Sequence, residues 1–453
     1  MLPAVDERHD DIIVMYSKIP QPVGLNGVFL GFKAWLRSPL LYLPIGSVPE
    51  YSSSPSSMAS SRIRHDPTWS ARQGLAGSFL KLFLRTYTAC HFKWPISLKP
   101  HHEGDRFVVI DPAPTRFYTG IAVDKEVRPE PVGATWFPEP CIGATSIPDG
   151  RYVVLHLHGG SYVLGDGRTS SCNFLAKTLL THTPASHLLC LQYRLACYPN
   201  GRFPAQLQDT LAAYAYLIHT LQIPPSRIVL SGDSSGGHLA LALLRYIVEY
   251  DGPARLPPPK CSWLWSPWCD VPAAVDPDIW TQSENYGTEY IPGSFPTWGA
   301  RQFLRDLAIT ETVERYVAPI HHPFMLPSPV LIITGGREVL FPDHQELVRR
   351  FHESARNESQ IELVVEEKVP HDVLMIGWIM KFQQEAEACA RQAGDFVRRV
   401  EASERLGVTK QEELSEYTSI MEYPAQRKTY RGGSAERRSP EFSKCAPPFA
   451  PAA

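Results

Sequence analysis

The stretch "IVLSGDSSGGHLALALL", residues 228–244, restricts what this chain can fold into more than any other. A β-branched run passes through a knot of Gly, Asp and Ser straight into an Ala/Leu-rich run. The reading is a strand that turns at once into a helix. Glycine in such a turn signals positive φ or close backbone approach. A serine at the junction is either an ordinary helix N-cap or a nucleophile held up on a strained elbow of the form G-x-S-x-G. In "GDSSG" the central residue is Ser234, preceded by Asp233 and followed by Ser235.

The flanking segments repeat the same alternation. "GRYVVLHLH" (150–158), "SHLLCLQYRLA" (186–196), "CSWLWSPWCDV" (261–271), "SPVLIITGGREVLFPD" (328–343) and "IELVVEEKVPHDVLM" (361–375) each contain an apolar strand. Helical patterns fall near 170–182 and over 203–221. Strands separated by helices predict an α/β fold, a mostly parallel central sheet covered by helices, with chemistry at the carboxyl ends of the strands. Three regions are expected. Residues 1–100 form an N-terminal cap or extension with the Ser-rich linker "SVPEYSSSPSSMASS" (47–61). Residues 101–406 form the catalytic domain, with a cap inserted at about 272–315. Residues 407–453 form a disordered tail, which from Pro424 on is rich in Pro and basic residues and poor in large aliphatics.

Several strand ends carry what acyl transfer needs. A serine hydroxyl is a poor nucleophile at neutral pH and requires a base that is itself oriented by a partner. After Ser234 come an acid in "GGREVLFPD" and a histidine in "VPHDVLM", the order Ser, acid, His. Glu338 is favoured as the acid because it sits just past a strand end. Asp343, further on, is the rival and is expected to cap the helix "HQELVRRFHES". His371 is the base, chosen from sixteen histidines by its place after the last strand. In "HGGSY", Gly159 and Gly160 are expected to turn main-chain amides toward a developing oxyanion, with the Ser235 amide as third donor.

Composition excludes other classes. The net charge of −3 gives no electrostatic footprint for nucleic acid. Nine cysteines without a C-x-x-C pair argue against a disulfide framework and a zinc site, and read as reduced thiols of a cytoplasmic protein. The first residues, "MLPAVDERHDDIIVMY", do not read as a signal peptide. The apolar segment 25–45 is interrupted by Lys33, Arg37 and Pro39; it is expected to pack on the catalytic domain, with peripheral membrane contact as the alternative. The mechanism calls for no metal and no organic cofactor, and the expected partner is a small-molecule ester.

Together "HGGSY", "YRLACYPNGRFPAQLQD", "PSRIVLSGDSSGGHLALALL" and "SPWCD" resemble the hormone-sensitive-lipase family of α/β-hydrolases, known by its HGGG and GDSAGG signatures, over roughly residues 105–400. The resemblance implies an α/β-hydrolase fold and a serine esterase with the triad Ser234, Glu338 and His371. It also implies an oxyanion hole from Gly159, Gly160 and Ser235, with His158 and Asp233 as structural members of the motifs. Three departures stand out: Ser161 for the third glycine, Ser235 for the usual alanine, and Glu for the commoner Asp. The N-terminal segment and the extended cap around "WGARQFL" look like fungal members, which implies action on an ester of a secondary metabolite. Two rivals keep the same fold: an acyltransferase or lactone-forming enzyme with this triad, and a non-catalytic small-molecule receptor, a class that has lost the histidine present here.

Overall fold

Short runs of Val, Ile, Leu and aromatic residues give the strands of this computed structural model, which describes residues 65–421 apart from 251, 253–254 and 355–359, with backbone alone over 406–421. The strands are β1 (Phe107–Ile110), β2 (Val132–Phe137), β3 (Tyr152–Leu157), β4 (Ala185–Gln192), β5 (Ile228–Asp233), β6 (Cys261–Trp265), β7 (Val330–Gly335) and β8 (Ile361–Glu366). They form one sheet in the order β1-β2-β4-β3-β5-β6-β7-β8. β1 and β2 join antiparallel, and every pairing from β3·β4 to β7·β8 is parallel. Every residue of β2, β3, β5, β6 and β7 is buried. Such continuous burial means both sheet faces are covered, as parallel sheets require.

The helices in chain order are α1 (Ala71–Ala89), α2 (Thr169–His182), α3 (Ala205–Ala215), α4 (Ser235–Glu249), α5 (Pro277–Thr281), α6 (Ser294–Phe303), α7 (Glu311–Val317), α8 (Phe341–Glu353), α9 (Val373–Met380) and α10 (Gln383–Met421). α5 to α7 fall between β6 and β7, over residues 277–317. The helical pattern of 203–221 divides into α3 and a π-helical turn over Tyr216–Thr220.

Two expected boundaries are corrected. The described residues from 65 onward group as one unit, so no break falls at residue 100. The reason is α1. Trp69 beside its N-cap donates from Nε1 to the Lys368 carbonyl at 2.7 Å, and the Tyr87 hydroxyl donates to the Val163 carbonyl at 3.0 Å. Lys81 Nζ reaches the carbonyls of Tyr286 and Glu289, both at 3.0 Å. At the other end, helix α10 runs to Met421, so the tail does not begin at 407. Residues 383–421 are rich in Glu, Gln, Lys and Arg, good helix formers; Ala386, Cys389, Ala393, Phe396 and Val397 seat the helix in the core, and Arg405 pairs with Glu401 one turn back. Residues 1–64, with the 25–45 and 47–61 segments, and residues beyond 421 lie outside the described residues.

Candidate active site

β5 ends at Asp233 and α4 begins at Ser235, leaving one residue to make the turn. Ser234 does so at φ 51° and ψ −117°, a conformation a non-glycine residue holds at a cost of about 1–3 kcal/mol. It occupies the N-cap position, yet its side chain caps nothing. The backbone holds the strain: Ser234 N–H donates to the Trp265 carbonyl at 2.8 Å, and the Ser234 carbonyl accepts from Trp268 N–H at 2.9 Å. Gly236 is required by close approach, since a Cβ there would lie 1.9 Å from the Leu157 carbonyl oxygen.

The strand ends of β7 and β8 bring an acid and an imidazole together. His371 Nδ1 donates to Glu338 Oε2 at 2.6 Å. Glu338 Oε1 accepts from Ser266 Oγ at 2.8 Å, Thr334 Oγ1 at 2.7 Å and the Gly335 N–H at 2.7 Å. Burial alone would raise the Glu338 carboxyl, but His344, His371 and these hydrogen bonds outweigh it and hold it at about 2. Burial would push His371 down, but the Glu338 charge and hydrogen bond hold it above its ordinary value. His371 Nε2 is buried with no hydrogen-bond partner among the described residues. Asp343 lies in the first turn of α8, after an N-cap at Leu340, and so does not cap that helix as expected. Burial and then the Asp270 charge push its carboxyl up to about 6, a poor state for steadying an imidazolium.

The "HGGS" loop follows β3. His158 is fully buried, stacks on Tyr193 with centroids 4.1 Å apart, and its Nδ1 hydrogen-bonds the Gly159 carbonyl at 2.7 Å. Gly159 corrects an expectation. Its N–H donates to Asp233 Oδ2 at 2.8 Å and is therefore not free for an oxyanion. Its lack of a Cβ serves close approach instead, because that atom would sit 2.3 Å from Asp233 Oδ2 and 3.0 Å from Ser234 Cβ. Gly160, Ser161 and Tyr162 then follow at φ 105°, 50° and 64°. The N–H groups of Gly160, Ser161 and Ser235 donate to no partner among the described residues. The free amides beside the nucleophile are thus those of Gly160, Ser161 and Ser235.

Several contributors carried no sequence motif. Asn285 Nδ2 donates to the Glu338 carbonyl at 2.9 Å, and Thr288 Oγ1 to the Arg337 carbonyl at 2.7 Å, so the cap grips the acid loop. Tyr290 lies with its ring 6.3 Å from that of His371. In α6, Gly299 presses on Ser161, where a Cβ would lie 2.3 Å from the Ser161 carbonyl oxygen, and Phe303 stacks on Tyr162 at 4.1 Å. Under these elements Ser234 is 7% exposed and His371 1%. Only the spacing of Ser266 in "WSPWCD", directly after β6, could have drawn notice from the sequence.

Comparison with known proteins agrees with this geometry. The α/β-hydrolase fold family matches residues 154–375. An acetyl-hydrolase of Streptomyces hygroscopicus is 34% identical over 210 residues, covering 44% of this chain and 61% of that protein. Human arylacetamide deacetylase-like 2 is 33% identical over 102 residues, 21% of this chain and 25% of that protein. The chain thus spans less than two thirds of the length of these relatives. Among solved structures, the esterase EstE5 superposes with a TM-score of 0.49 at 23% identity, over 71% of this chain and 92% of that one. The strand order built on a parallel core and the family match over residues 154–375 give the chain an α/β-hydrolase fold, and its four ordered motifs are similar to those of the hormone-sensitive-lipase family.

Proposed function

We propose that the chain is a serine hydrolase that cleaves a carboxylic ester through an acyl-enzyme. His371 Nε2 takes the proton of Ser234 as Oγ attacks the ester carbonyl, and Glu338 fixes the tautomer and steadies the imidazolium. The oxyanion forms on the amides of Gly160, Ser161 and Ser235. The proton passes from His371 to the departing alcohol. Water, deprotonated by the same nitrogen, then releases the acid and restores Ser234. The observation that carries this reading is the 2.6 Å His371–Glu338 pair with a free Nε2, in a chain that also holds Ser234 on its elbow at φ 51°. The substrate proposed is an acyl or acetyl ester of a small hydrophobic molecule; the relatives named acetyl-hydrolase and deacetylase-like support an acetyl group. A role on a secondary metabolite and a cytoplasmic location belong to the same proposal, and the free thiols of the eight described cysteines support the latter. No helix among the described residues is long and apolar enough to cross a membrane.

The test is Ser234→Ala in an ester screen of graded chain length. The variant should fold and lose on the order of 10⁶ in kcat; hydrolysis near wild-type rates contradicts the assignment. The deep burial of Ser234 and His371 favours one second reading, acyl transfer to an alcohol or ring closure in place of hydrolysis. Products analysed with and without an alcohol acceptor separate the two.

A further inference from the structure

The amides free to meet an oxyanion come from two separate stretches of chain, Gly160 and Ser161 in the loop after β3 and Ser235 at the start of α4. A hole built from two stretches works only if their separation is fixed, because each donor must lie about 2.7–3.1 Å from one developing oxygen. One tie between them is the Gly159 N–H on Asp233 Oδ2, at 2.8 Å, on one side of the free amides. A second lies on the other side. The Tyr162 hydroxyl donates to the Ser235 carbonyl at 2.8 Å.

Nothing in the ester mechanism uses the Tyr162 side chain, yet the residue is firmly held. It is fully buried, and its backbone stands at φ 64°, in the left-handed region that non-glycine residues seldom take. Its carbonyl accepts the Ala196 N–H at 2.7 Å. Its ring stacks on Phe303 at 4.1 Å and lies 6.3 Å from that of Trp268. The hydroxyl shares a further hydrogen bond, of 2.5 Å, with His238 Nδ1 on α4. A carbonyl can only accept, so the single hydroxyl proton goes to Ser235, and His238 Nδ1 donates to the oxygen from the other side. Burial holds the phenol well above its usual range, so it remains a donor. The ring's contacts would be met equally by Phe. Packing therefore accounts for the ring and leaves the hydroxyl unexplained.

We propose that Tyr162 is a positioning residue whose hydroxyl, held by His238, ties the loop amides of Gly160 and Ser161 to the Ser235 amide so that all three meet one oxyanion. The proposal rests on the ester-hydrolase reading of the site.

The test is Tyr162→Phe, which keeps the ring and removes the tie, with rates taken per active site titrated by a fluorophosphonate. kcat on a short ester should fall about 10²-fold, the scale of an ångström-sized misplacement, with KM nearly unchanged. The inhibition constant of a trifluoromethyl ketone, whose adduct with Ser234 carries an oxyanion, should rise by the factor lost in kcat/KM. His238→Leu leaves the tie to Ser235 in place and should keep kcat within a few-fold of wild type. If Tyr162→Phe does not fold with His238 left unpaired, the double variant Y162F/H238L carries the test, because removing both partners of a buried pair costs less than removing one; it should show the same loss. A wild-type kcat in the variant that lacks the hydroxyl, an unchanged inhibition constant, or a loss in His238→Leu as large as that of Tyr162→Phe overturns the proposal. A wild-type protein with neither esterase activity nor labelling overturns the ester-hydrolase reading and this proposal with it, so the two failures are told apart.

Discussion

His371 can accept a proton only while neutral, and its pKa is held above the ordinary value by the Glu338 charge and hydrogen bond, which outweigh burial. kcat/KM should therefore fall as pH drops through a midpoint above about 6.5. Glu338→Gln removes the charge that raises it, so the residual activity of that variant should keep its acid limb at lower pH. The same change should cost about 10⁴-fold in kcat, as loss of a triad acid does. Asp343→Asn should stay near wild type, and a pH–rate series on both variants checks this; if Asp343→Asn is the more damaged, the acid has been misassigned. The loop residues divide in the same way. Gly160→Ala puts a Cβ 2.1 Å from the Leu164 carbonyl at φ 105°, and should lower kcat by about 10²-fold or more. Ser161→Gly keeps the backbone donor and should retain kcat, which steady-state kinetics on one short ester will show.

At the scale of elements, α6 rests on the oxyanion loop through Gly299 and Phe303, so the cap is part of the site's geometry as well as its cover. Gly299→Ala should displace Ser161 and lower kcat more than it raises KM for a short ester; an unchanged kcat would mean that the loop holds its shape without α6. Local turn chemistry is legible in a sequence, and a tertiary contact of this kind is not. Ser234, Glu338 and His371 are each tied to a strand end by local turn chemistry, and local chemistry is written in "GDSSG", "GGREV" and "VPHD". Gly299, Tyr290 and Asn285 reach the site only through tertiary packing of an insertion with no period of its own, and no pattern announced them. Gly159 departs from its expected role for a related reason. Two consecutive glycines mark a close approach, but not whether the neighbour is a substrate oxygen or the Asp233 carboxylate. β1 and β2 also went unread, one only four residues long and the other carrying Gly133.

For the whole molecule, the ends should respond differently to truncation. Deleting residues 424–453 removes little apolar material and should leave activity and melting temperature almost unchanged. Deleting 1–100 strips α1 with its buried Tyr87 and the buried Trp69 that precedes it, exposes the Val163 turn and the Lys368 loop that they contact, and should give an aggregating protein in size-exclusion chromatography. A monodisperse product with unchanged ester preference would contradict the place given to α1. The central claim is that one serine, raised on the β5–α4 elbow and served by His371, is the nucleophile. Intact-mass and peptide mass spectrometry after treatment with a fluorophosphonate test it most directly. One adduct per chain on Ser234, absent or greatly slowed in His371→Ala, is the predicted result; an adduct on another serine, or none in the folded wild-type protein, would contradict it.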